Sequence, residues 1–175
     1  MKVLYKLYDR FHTWLYADSA SPTTWHRATP EDRAKDTAPL TQSHEEWFAD
    51  VCRRMGLVGA ADVTEFIGAV EVYLGYPLLL SRMDVEGGRV YGACRPYERK
   101  ALIGIRHDIH PRMFLPTLCH EMAHLLRGHR GLFLRDEELK KPEDVEAEAI
   151  GAVIAAYLRA GGEGAAARFW KRMGG

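Results

Sequence analysis

Five consecutive residues, His120-Glu121-Met122-Ala123-His124, carry the strongest chemical pattern in the chain. On an α-helix, residues four apart lie on one face, one turn from each other. Two imidazoles so placed can hold one zinc ion at about 2.0–2.1 Å each. Glu121 stands about 100° round the helix from His120. It is beside the ion rather than on it, where a carboxylate can take a proton from an activated water. With 8 His and 14 Glu among 175 residues, random order produces this pattern roughly 3% of the time. The surroundings make chance a poorer explanation still. Leu118, Met122, Leu125 and Leu126 predict a buried helix, and three ionisable groups on a buried helix need a compensating partner such as a metal.

A catalytic zinc site needs a third protein ligand and an open position. A third histidine six places after His124 is ruled out, because Arg127 and Arg130 stand where that pattern requires Gly and His. A carboxylate from a later helix is the alternative. Glu146 and Glu148 are candidates, and about 200° separates them on a helix, so only one can face the metal. Glu143 and Asp144 fall in the first turn, where dipole complement in solvent accounts for them. His129 follows Gly128 as a helix-end residue, too far along to join His120 and His124. Cys119 reads as a small buried filler. His107, His110, Tyr91, Tyr97 and Tyr157 read as core or surface residues rather than groups that polarise a carbonyl.

These residues need elements to hold them. Ser43 with Glu46 forms a capping-box pattern that starts a helix ending at Gly56, and Asp62 with Glu65 starts another ending at Gly75. Residues 77–85, 89–95 and 100–107 predict three strands in a small antiparallel meander. Helices are predicted over about 113–128 and 142–160, the second with Pro142 at its first position. A helix is also expected over 3–17, a long loop over 18–42 and a short basic helix over 165–172. The fold class is α+β, with helices packed on one side of the sheet. An edge strand from residues 89–107 could hold a substrate by β-addition.

A small sheet, then TLCHEMAHLLRGH (117–129), then EAEAIGAVIAAYL (146–158), resembles the ImmA/IrrE-type metallopeptidases, compact zincins with a T-x-x-H-E-x-x-H-x-L segment and a later E-x-x-A helix. Thr117, His120, Glu121, His124 and Leu126 match the first segment, and Glu146 and Ala149 the second. Ile150 and Ala152-Val153 stand where the family has polar and aromatic residues. The resemblance implies a zincin-like fold with Glu146 as third zinc ligand. It also implies a zinc endopeptidase whose protein substrate is a repressor-like, DNA-binding transcriptional regulator. The competing readings are a non-catalytic zinc-containing interaction module and a toxin–antitoxin component. A purely structural zinc site has no use for Glu121.

Composition narrows the class. Lys plus Arg (24) balances Asp plus Glu (24), so direct nucleic-acid binding by bulk charge is not expected. Cys52, Cys94 and Cys119 are odd in number and far apart, which predicts neither a disulfide framework nor a cysteine zinc site, and fits a reducing, cytoplasmic setting. The longest small-apolar run, 149–158, is about half the roughly 20 residues a membrane span needs. The chain therefore divides into an N-terminal helix and loop arm, 1–42, and a metallopeptidase domain, 43–175, compact as a whole.

Overall fold

The computed structural model describes residues 25–57, 59, 61–84, 90–130, 133–135 and 141–160. The helices expected over 3–17 and 165–172 lie outside them. Helix α1 (Pro30–Thr37) runs through the segment expected to be loop. Its signal is short but complete: Thr29 caps the Asp32 amide at 3.2 Å, Asp32 reaches back to the Thr29 amide at 2.9 Å, and Pro30 takes the first position. The capping box sits among polar residues with no apolar period behind it, which is why the segment reads as loop.

Helices α2 (His44–Met55) and α3 (Val63–Leu74) begin at Ser43 and Asp62 and end at Gly56 and Gly75, as expected. Both glycines adopt the left-handed conformation, at φ 81° and 75°, where a side chain would be strained. A buried polar knot ties α1 to α2 and α3. The Asp36 carboxylate, fully buried, accepts from Tyr73 Oη at 2.9 Å and Arg33 Nη1 at 2.9 Å, and pairs with Arg54 Nη2 at 2.7 Å. A carboxylate so enclosed is stable only while its partners stay.

The sheet has the order β1 (Leu78–Met83), β3 (Ala101–Arg106), β2 (Gly92–Pro96), β4 (Phe133–Arg135). This corrects the three-stranded antiparallel meander: the sheet is mixed. β2 and β3 form the antiparallel hairpin, closed by Tyr97 N–H donating to Lys100 O at 2.8 Å. β1 instead runs parallel to β3, with Leu78 opposite Ala101 and Met83 opposite Arg106. The meander assumes that neighbours in sequence pair. Here β2 takes one side of β3, β4 takes the outer side of β2, and β1 pairs along the far side of β3. The substrate-edge expectation changes with it: the strands within 89–107 are interior, and β4 and β1 are the edges.

On one face of the sheet Cys94, Ala101, Ile103 and Ile105 are sealed from solvent. Helix α4 (Pro111–Leu126) lies over β2 and β3, and α5 (Pro142–Ala160) packs on α4. α4 is thus the central layer, buried at every position from Thr117 to Leu126. Arg33 of α1 donates to the carbonyls of Leu126 (2.9 Å) and Leu125 (3.2 Å), which closes the last turn of α4. Among the described residues no helix is long and apolar enough to cross a membrane.

Candidate metal centre

α4 presents two functional faces. His120 and His124, both buried, point toward α5, and their Nε2 atoms approach to 3.1 Å. Asp144, in the first turn of α5, brings Oδ1 to 3.5 Å from His124 Nε2. These three buried residues form a group that could hold a metal ion, their ligand atoms all within 4.8 Å of one another. By its place in the first turn, Asp144 reads as a solvent-facing residue. The tertiary structure puts it against His124.

The pairs His120/Glu148 and His124/Asp144 show why. One index rises as the other falls, so α4 and α5 run antiparallel and their facing positions are fixed by packing. Asp144 and Glu148, four apart, share the α5 face that also carries Ala147 and Gly151, both buried. Glu146 lies about 200° away from each. The structure therefore does not bring Glu146 to the two histidine Nε2 atoms. Its Oε1 accepts from Arg127 Nη2 at 3.0 Å, and its Oε2 meets His129 Nε2 at 3.0 Å. Burial opposes the Glu146 charge, but Arg127 and His129 outweigh it and hold the carboxyl below its ordinary range. His129 was also expected to stand apart, yet its Nδ1 lies 2.9 Å from His124 Nδ1.

Donor accounting places the ring protons. The Glu148 carboxylate lies 3.0 Å from His120 Nδ1 and can only accept, so His120 carries a proton at Nδ1. Glu146 likewise takes the His129 Nε2–H. Burial holds His129 below its ordinary pKa despite Glu146, so it is neutral, and its bare Nδ1 accepts from His124 Nδ1–H. His124 is left bare at Nε2. Burial, then His120, His129 and Lys141, push its pKa down to about 3, which keeps it neutral.

The two Nε2 atoms face each other at 3.1 Å, with the buried Asp144 Oδ1 beside them and no hydrogen bond from a described residue to that oxygen. With one proton on each ring, at Nδ1, the contact brings two lone pairs together and favours a cation between them. Tetrahedral ligands at about 2.0–2.1 Å would stand about 3.3 Å apart, near the 3.1 Å and 3.5 Å at which His124 Nε2 meets His120 and Asp144. The residues present suit a metal ion.

Glu121, fully buried, faces the sheet. A Cβ on Gly92 would fall 2.6 Å from its Oε1 and 2.5 Å from Thr117 Cγ2, so the bare α-carbon of β2 gives the carboxylate its place. Burial first, and the Glu121 charge second, push the Cys94 thiol well above its ordinary pKa. His110 caps α4, its Nδ1 accepting the Arg112 amide at 3.2 Å. Tyr97 lies exposed beneath Arg95 and Lys100, and Tyr157 donates to Gly59 O at 2.7 Å. A comparison with protein-family models and with curated proteins finds no match to this chain.

Proposed function

We propose that the chain is a zinc-dependent endopeptidase of zincin-like fold, with His120, His124 and Asp144 as the zinc ligands and Glu121 as general base. The observation that supports it best is the convergence of two imidazole Nε2 atoms and a buried carboxylate oxygen on one point of a buried helix pair. Two imidazoles and one carboxylate suit zinc and leave a fourth position open. When bound, zinc polarises a peptide carbonyl and makes water a nucleophile at neutral pH. Asp144 takes the ligand position that the resemblance gave to Glu146.

The remaining steps belong to the protein's own groups. Glu121 takes a proton from the attacking water and passes it to the leaving amine nitrogen. The histidines donate Nδ1–H outward to Glu148 and His129. Asp144, buried beside the two imidazoles, would hold the ion through a carboxylate oxygen. A buried carboxylate one residue from the first ligand favours a hydrolase over an interaction module. The substrate class, a repressor-like regulator, rests on the resemblance alone. The three cysteines are free and buried, in keeping with a reducing, cytoplasmic compartment.

The test is elemental analysis of purified protein together with cleavage of a quenched-fluorescent peptide library. Wild type should carry about one zinc per chain and cleave peptides in a chelator-sensitive way. Glu121→Gln should keep the zinc and lose about 10²–10⁴ in rate. Equal rates at equal zinc loading would remove Glu121 as the base, and metal-free wild type would remove the site.

A further inference from the structure

Glu146 is a half-buried carboxylate that the metal site does not use, yet one of its two described partners, His129, leads back to that site. Arg127 Nη2 donates to its Oε1 at 3.0 Å, and the same guanidinium donates to the carbonyls of Asp36 and Ala38. Its plane also lies over Trp47, 5.4 Å from the ring centroid. Arg127 is therefore clamped by the chain end of α1 and by α2. Glu146 Oε2 then holds His129 Nε2 at 3.0 Å, and His129 Nδ1 holds His124 Nδ1 at 2.9 Å.

We propose that Arg127, Glu146 and His129 form a buried chain of hydrogen bonds that fixes the tautomer and ring orientation of His124, making Glu146 a positioning residue and not a metal ligand. The inference rests on the reading of His120, His124 and Asp144 as the metal site. Each link has one allowed direction. Arginine only donates, an ionised carboxylate only accepts, and a neutral imidazole that donates at Nε2 must accept at Nδ1. Read from the clamped guanidinium inward, the polarity leaves His124 protonated at Nδ1 and bare at Nε2, the form a metal needs. The His120 Nδ1 proton is held by a single step, from Glu148. The two ligands thus have outer partners of different reach. Glu148 is a side chain at 41% exposure, while the chain behind His124 ends in the buried Arg127. Partners of this kind typically change metal affinity by about 10–100-fold.

The experiment reads tautomer and metal affinity separately. Long-range ¹⁵N NMR of metal-free protein should show His124 protonated at Nδ1 in wild type and in His129→Asn, whose side-chain oxygen can still accept. In His129→Leu and Glu146→Gln that signature should be lost or mixed. Competition with a zinc-binding dye should give zinc affinity about 10–100-fold weaker in His129→Leu and Glu146→Gln at unchanged one-to-one stoichiometry. The double variant should lose little more than the worse single one, since both act through one path. Cobalt substituted into Glu146→Gln should keep the wild-type visible spectrum. An altered cobalt spectrum with lost stoichiometry would make Glu146 a ligand and overturn the proposal. So would wild-type tautomer and affinity in both His129→Leu and Glu146→Gln. Wild type that binds neither zinc nor cobalt would overturn the metal site and this inference together. Tight binding in wild type with no effect of the variants would overturn this inference alone.

Discussion

The α-carbon of Gly151 rests on the backbone of His120: a Cβ there would stand 2.9 Å from the His120 nitrogen and 3.0 Å from its α-carbon. Both sides of the contact are backbone, so neither can swing away. Gly151 sets how closely α5 approaches α4, and hence how near Asp144 comes to His124. Gly151→Ala should therefore destabilise the fold by about 1–3 kcal/mol. For a chain of this size that lowers the melting temperature by about 2–4 °C per kcal/mol. Ala152→Ser, next door on the exposed side of α5, should stay within about 0.5 kcal/mol. Equal melting temperatures for Gly151→Ala and wild type would show that the helices can move apart at no cost.

The carboxylates of α5 should separate by role. Asp144→Ala should lose stoichiometric zinc, because it removes an oxygen from the converging group. Glu148→Ala should keep one zinc per chain with affinity lowered by about 10–100-fold, because it removes only the acceptor for His120 Nδ1–H. Equilibrium dialysis against a zinc buffer distinguishes the two. Full zinc loading in Asp144→Ala would return the third-ligand question to the other carboxylates.

Gly92→Ala probes the proposed general base without changing its chemistry. The new methyl would meet Glu121 Oε1 at 2.6 Å and Thr117 Cγ2 at 2.5 Å, so the carboxylate must shift. A misplacement of about 1 Å can cost about 10²-fold in rate. The expected result is a fall in kcat of that order with zinc content unchanged. An unchanged kcat would place Glu121 outside the reaction.

Alkaline pH should weaken the fold. Burial pushes Cys52 and Tyr157 up to about 12, and burial with the Asp36 charge raises Tyr73 further. In the unfolded chain cysteine and tyrosine ionise near about 8.5 and 10. Raised folded values mean that the stabilisation is complete below the unfolded values and lost as pH climbs through the folded ones. Urea midpoints should thus hold level to about pH 8 and decline steadily toward pH 11.5. A flat profile across that range would show that these groups ionise without cost in the folded state.

Much of the frame was legible because its signals are local. Ser43 with Glu46 and Asp62 with Glu65 announce the starts of α2 and α3, and the capping contacts appear at 3.2 Å and 2.8 Å. The pairing of His120 with His124 on one face follows from the helical repeat alone, before any partner is known. α1 was missed because Thr29, Pro30 and Asp32 give its start without an apolar stripe. The parallel partner of β1 was missed because strand pairing is a contest for free edges, which no strand announces by itself.

The sequence by itself determined the chemistry of α4: two imidazoles one turn apart, a carboxylate beside them, and apolar neighbours that force burial. It also narrowed the candidate acids to one helix. Only the tertiary structure decided which acid answers. Residues 144, 146 and 148 differ by steps of about 200°, and the sequence does not say which way α5 turns against α4. The close seat of Gly151 on His120 and the antiparallel run of the two helices set that rotation, giving Asp144 to His124, Glu148 to His120, and Glu146 to His129 and Arg127. A helical period fixes which side chains share a face, but the face that meets its neighbour is chosen by packing across the interface.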